Sequence, residues 1–212
     1  MVDCFDKSVA TLKSNNPSSS NDIDYVDSVF LKNRVLKIES GILITVEAST
    51  EEFIRYHDII AKNESKDLIY FVEDDYIHQS NAIQEMIFTY ERLSSQFNKE
   101  LFLCPADYPY LYNKIEPTSI LIGSSKHWRL VNETLCTFLT SKSIIEKYWE
   151  KLTSMCKFEH YPFEQPLHEI YKDEKCLSPI PSLAIHLTNI NSIFGLSPNV
   201  DWKKVWEENE NY

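Results

Sequence analysis

Five apolar residues, Leu68-Ile69-Tyr70-Phe71-Val72, run without a break into three carboxylates, Glu73, Asp74 and Asp75. A short apolar run rich in β-branched and aromatic side chains predicts a strand buried on both faces. A helix is expected directly after it. Ser80 is its N-cap, and Ala82, Ile83, Met86, Ile87, Tyr90 and Leu93 recur at helical spacing. The carboxylates of residues 67 to 80 then fall at the carboxyl end of a central strand, where open α/β sheets place their ligands. Three adjacent acids repel one another, and a buried strand end is a costly place for them. A divalent cation relieves both problems, and hard oxygen donors suit magnesium or manganese. A solvated, inert acidic turn is the plainer alternative.

Composition removes several function classes. A net charge of -11 leaves no basic surface for nucleic acid. Only three glycines are present, which excludes the Gly-rich phosphate loops of Rossmann and P-loop proteins. Cys4, Cys104, Cys136, Cys156 and Cys176 are odd in number and never in a C-x-x-C pair. Neither a zinc ribbon nor a disulfide framework is expected, and a cytoplasmic, reducing setting fits. The amino terminus carries no signal-peptide pattern, and no segment approaches the roughly 18 to 20 apolar residues of a membrane span.

In chain order, residues 13–22 form a polar loop expected to be mobile. Gly41 to Ala48 predicts a strand, and Ser49 with Glu52 a capping box opening a helix. Strands are expected at Leu101 to Cys104, Ile120 to Ile122 and Thr134 to Leu139. A helix capped by Ser141 or Ser143 should carry Ile144, Ile145, Tyr148, Trp149 and Leu152. Pro179 to Leu187 should be extended and end near His186, and residues 203–212 should form a loosely held helical tail. The whole, residues 1–212, reads as a single α/β domain with a mixed central β-sheet flanked by helices on both faces.

Four constellations could carry chemistry. Asp75 and His186 both fall at expected strand ends, and their meeting would give manganese a mixed oxygen and nitrogen shell. A capped or core histidine is the alternative. Lys126-His127-Trp128-Arg129 offers Arg129 as a clamp for phosphate and Trp128 as an apolar platform for a sugar ring. A surface turn with Trp128 anchored in the core accounts for it equally well. Asp107, Tyr108, Tyr110 and Tyr112 form a polar aromatic loop of a kind that suits carbohydrate. Glu159, His160 and Glu164, among aromatic neighbours, are candidate general bases.

The string Tyr70-Phe71-Val72-Glu73-Asp74-Asp75-Tyr76 resembles the acidic motif of nucleotide-sugar glycosyltransferases with the GT-A fold. His127-Trp128-Arg129, Thr137-Phe138, Pro181 to His186 and Val200 to Trp202 extend the likeness over roughly residues 40–202. They are similar to the amino-terminal glycosyltransferase domain of a multidomain chlorella-virus protein and its bacterial relatives. The resemblance implies a UDP-linked donor carrying a hexose or 6-deoxyhexose such as rhamnose, a glycan acceptor, and Mn2+ or Mg2+. It implies Asp75 as principal metal ligand, His186 as second ligand, and Glu73 or Asp74 as a donor contact. It sets Asp6 and Ser8 beside the nucleobase. Arg129 would assist at the diphosphate, Trp128, Tyr108 and Tyr110 would receive the acceptor, and an inverting reaction would use Glu164, His160 or Asp107 as base. Rival expectations are a magnesium-dependent nucleotidyl- or phosphotransferase and a carbohydrate-binding module with structural calcium.

Overall fold

The computed structural model describes residues 25–26, 35–38, 41–46, 68–73, 75–155, 162, 164–187 and 192–210. Asp6, Ser8, Asp74, His160, residues 13–22 and the capping box at Ser49 lie outside them. So does the crossover between residues 46 and 68.

The described residues form an α/β fold around a mixed nine-stranded sheet. Its strands are β1 (Tyr25–Val26), β2 (Val35–Ile38), β3 (Gly41–Val46), β4 (Leu68–Glu73), β6 (Leu101–Leu103), β7 (Ile120–Ile122), β8 (His127–Val131), β9 (Phe138–Ser141) and β10 (Lys175–Ile180). The order across the sheet is β1-β2-β3-β4-β9-β6-β10-β8-β7. β3 pairs with β4, and β6 with β10, in parallel; every other neighbour is antiparallel. β5 (Tyr76–His78) and β11 (Ala184–His186) make a separate antiparallel pair.

The apolar run behaves as expected. Leu68 to Val72 are all buried, and β4 is flanked by β3 and β9 in the sheet interior. Helix α1 (Ala82–Phe97) follows, burying Ala82, Met86, Tyr90 and Leu93 on one stripe. It begins one residue later than the serine predicts: Asn81 is the N-cap, without a side-chain capping bond. Asn98 closes it in the left-handed conformation, its N–H donating back to Ser94 and Ser95 carbonyls.

Four other expectations are corrected. The strand expected from Thr134 starts at Phe138, because residue 134 bonds to a helix instead of a ladder. The Thr134 hydroxyl meets that of Tyr171, and its backbone meets His168 Nε2. Both partners belong to or adjoin α4 (Gln165–Ile170). The helix after Ser141 is two short ones, α2 (Lys142–Lys147) and α3 (Trp149–Ser154), meeting at Tyr148. Ser141 caps the first, its Oγ accepting from the Ile144 N–H. His127-Trp128-Arg129 is strand rather than turn, with Trp128 fully buried. The tail is helix α5 (Trp202–Glu210), and it is tied down: Asn209 Nδ2 donates to the His78 carbonyl at 3.0 Å, and Val205 packs with Ile77, Ile185 and Val200.

Candidate active site

The ladder of the small sheet delivers His186 to the acidic strand end. β11 runs antiparallel to β5 with His186 opposite Tyr76, the residue after Asp75. The Leu187 N–H donates to the Asp75 carbonyl at 2.6 Å, so both backbones are held in register. The side chains then meet, His186 Nε2 lying 2.8 Å from Asp75 Oδ2. Tyr76 stacks on the imidazole with ring centroids 4.9 Å apart, and its hydroxyl bonds that of Tyr108. Burial works against charge on His186, but the Asp75 hydrogen bond, the Asp75 and Glu73 charges and the Phe194 backbone raise its pKa.

Glu73 closes β4 beside them. Thr137, one residue before β9, accepts from the Glu73 N–H and donates to Glu73 Oε2 at 3.1 and 3.2 Å. That single hydroxyl cannot satisfy a half-buried carboxylate. Burial, with the Asp75 charge second, pushes Glu73 up to about 7, while His186 and Thr137 oppose the rise. Glu164 adds to it through its own charge, so it stands within electrostatic reach of Glu73. Glu164 is itself buried at the N-cap of α4, and burial raises its pKa.

The other expected site residues fare differently. Trp128 is 0% exposed and its indole N–H donates to Glu85 Oε1, so it offers no face to a sugar. The core-anchor alternative holds. Tyr108 is likewise buried, supporting Tyr76 rather than receiving a ligand. Tyr110 is partly exposed, stacked on Tyr108 and packed against Phe194. Arg129 and Asp107 form a buried ion pair, which commits the guanidinium that was expected at the diphosphate. The same pairing and the Tyr112 hydroxyl occupy both Asp107 oxygens, so Asp107 is not a free base.

Sequence reasoning passed over Tyr76 and Glu85. Tyr76 was legible as the neighbour of Asp75 on a short extended stretch. Glu85 interrupts the apolar stripe of α1, and a lone acid on such a stripe signals a buried acceptor. Its carboxylate accepts from the backbone N–H groups of Ser124, Ser125 and Lys126, from the Ser125 and Thr89 hydroxyls, and from Trp128. Burial opposes its charge, but the Ser125 and Trp128 bonds hold its pKa below the usual range.

The pair Asp75 and His186 fits a divalent cation in chemistry. Asp75 Oδ1 is buried without a hydrogen-bond partner among the described residues, which leaves a carboxylate lone pair for a ligand. Magnesium commonly takes one or two protein carboxylates and completes its shell with substrate phosphates and water. His186 Nε2 and Asp75 Oδ2 are 2.8 Å apart as a hydrogen-bonded pair, so a cation held by both would take the place of the shared proton. Among the described residues no group of three or more His, Cys, Asp or Glu side chains is arranged to hold a metal. Nor is any helix among them long and apolar enough to cross a membrane. Comparison with protein-family models, curated proteins and solved structures gives no match to this chain.

Proposed function

We propose that this chain is a nucleotide-sugar-dependent glycosyltransferase of GT-A-like architecture, moving a hexose or 6-deoxyhexose from a UDP-linked donor to a glycan hydroxyl. The observation that carries this reading is the contact of Asp75 with His186 at the end of a buried strand. Two metal-competent side chains from distant parts of the chain meet there, one with a buried oxygen unpartnered among the described residues.

Asp75 and His186 would hold a manganese or magnesium ion, whose charge offsets that developing on the departing diphosphate. Tyr76 steadies the imidazole plane by stacking, and the Leu187–Asp75 backbone bond holds the Asp75 main chain in register with β11. Glu73, at the end of β4 beside the pair, would contact the donor sugar's hydroxyls. In an inverting reaction Glu164 takes the proton of the acceptor hydroxyl. The acceptor oxygen bonds the anomeric carbon as the bond to the diphosphate breaks, and that electron pair leaves with UDP. Burial raises the basicity Glu164 needs for this. A cytoplasmic site of action belongs to the same proposal.

Calorimetric titration of UDP tests it, with manganese and with chelator, on wild type and Asp75→Ala. Binding that requires both manganese and Asp75 is the expected result. Binding indifferent to both, or none, overturns the reading.

A further inference from the structure

Tyr112 ends a short 3-10 turn, Pro109–Tyr112, and is half exposed, yet its ring is fixed from two sides. The hydroxyl donates to Asp107 Oδ2, and the Arg129 guanidinium lies 4.2 Å from the ring centroid. Both partners are buried, and the Asp107 N–H is anchored in turn on Ser182 Oγ at 2.8 Å. A ring already immobilised in this way loses little freedom when a ligand lands on it.

Two clefts share Tyr112 as a wall. One, of about 210 Å³, is polar, with Lys114, Glu116, Asn132, Glu133 and Arg129 in its lining. The other, of about 480 Å³, is lined by Pro109, Leu196, Ser197, Pro198 and Val200.

We infer that Tyr112 is the platform on which the acceptor glycan rests, with a neutral hexopyranose unit against the ring face that the Arg129 guanidinium leaves uncovered. An aromatic face accepts the apolar C–H side of a sugar, and the surrounding charged groups bond its hydroxyl rim. Lys114 and Glu133, paired at 2.8 Å and both substantially exposed, present a donor and an acceptor side by side. The sign of the charge disfavours an anionic ligand. Arg129 and Asp107 cancel, leaving Lys114 against Glu116 and Glu133, which repels nucleotides and other anions. The backbone leads from this platform to the metal-competent pair: the Tyr110 N–H donates to the Ile193 carbonyl, and the Tyr110 ring packs on Phe194, whose backbone acts on His186. The name acceptor rests on the glycosyltransferase reading, whereas sugar binding at Tyr112 stands apart from it.

Saturation-transfer NMR tests the platform without nucleotide or cation, using methyl α-glucoside, methyl α-mannoside, methyl α-rhamnoside and methyl β-xyloside. At least one glycoside should receive saturation at its ring C–H protons from wild type. That signal should fall at least fivefold in Tyr112→Ala and persist in Tyr112→Phe, which keeps the ring. Asn132→Ala, a surface change that leaves folding alone, should weaken it severalfold. Silence of all four glycosides on wild type, or an undiminished signal in either Tyr112→Ala or Asn132→Ala, overturns the inference. The two proposals fail separately. Manganese-dependent UDP binding without glycoside binding refutes the platform alone, and glycoside binding without UDP binding refutes the transferase reading alone.

Discussion

Replacing Glu73 by Gln should stabilise the protein, and only at neutral to alkaline pH. The carboxyl rises from 4.5 in the unfolded chain to about 7 in the fold, burial first and the Asp75 charge second. The folded state thus binds this proton more tightly than the unfolded chain does, and stability falls as pH climbs from 4.5 through 7. A rise of that size corresponds to roughly 3 kcal/mol. Partial exposure of the strand end reduces it to roughly 2 kcal/mol by pH 8. Gln mimics the protonated acid and can still accept from Thr137, so the penalty disappears without loss of the local bond. Urea denaturation in chelator, at pH 5 and pH 8, is the assay. The variant should match wild type at pH 5 and gain roughly 2 kcal/mol at pH 8, about 4 to 8 °C in melting temperature for a chain of this size. A stability difference independent of pH, or a loss at pH 8, refutes the argument that an ionised Glu73 is an electrostatic burden. Such a burden is what a site retains when it serves an incoming ligand rather than the fold.

His78 should make the protein acid-sensitive in the opposite sense. Burial lowers it from 6.5 to about 4, so stability is complete above 6.5 and drains away as pH falls towards 4, by roughly 3 kcal/mol. His78→Gln, which keeps an acceptor for the Tyr70 hydroxyl, should flatten that part of the urea-stability profile. Glu85→Ala should cost roughly 2 to 4 kcal/mol by chemical denaturation, since it strips the acceptor from three backbone N–H groups and the Trp128 indole. Water can replace only the bonds on the exposed serines. A cost below about 1 kcal/mol would show that the 124–126 loop does not depend on that carboxylate.

Periodicity and capping made the frame legible. The buried strand at Leu68, the helical stripe from Ala82 and the Ser141 cap all come from local rules that tertiary packing happens to respect. The mixed character of the sheet followed from early alternation of strands and helices. Local rules stopped where a residue's partner was remote. Thr134 looks strand-like by composition, but its bonds go to His168 and Tyr171, more than thirty positions away. Trp128 and Arg129 looked ligand-facing because an indole and a guanidinium suit ligands. Inside the fold their partners are Glu85 and Asp107, charges whose placement no local pattern announces. Asp75 and His186 were paired from the sequence as expected strand ends, and the β5–β11 register, which no local pattern predicts, is what brings them into contact.

That register also divides the packing of the small pair itself. Ile77 and Ile185 pack with Val200 and Val205, whereas Tyr76 and Ala184 belong to the large core. The two short strands therefore rivet the Asp75–His186 contact to the same body that carries Glu73 at the end of β4. Segments that share a core open together. The candidate site should thus keep its shape until the large core itself loosens, with helix α5 clasping the outer side through Asn209.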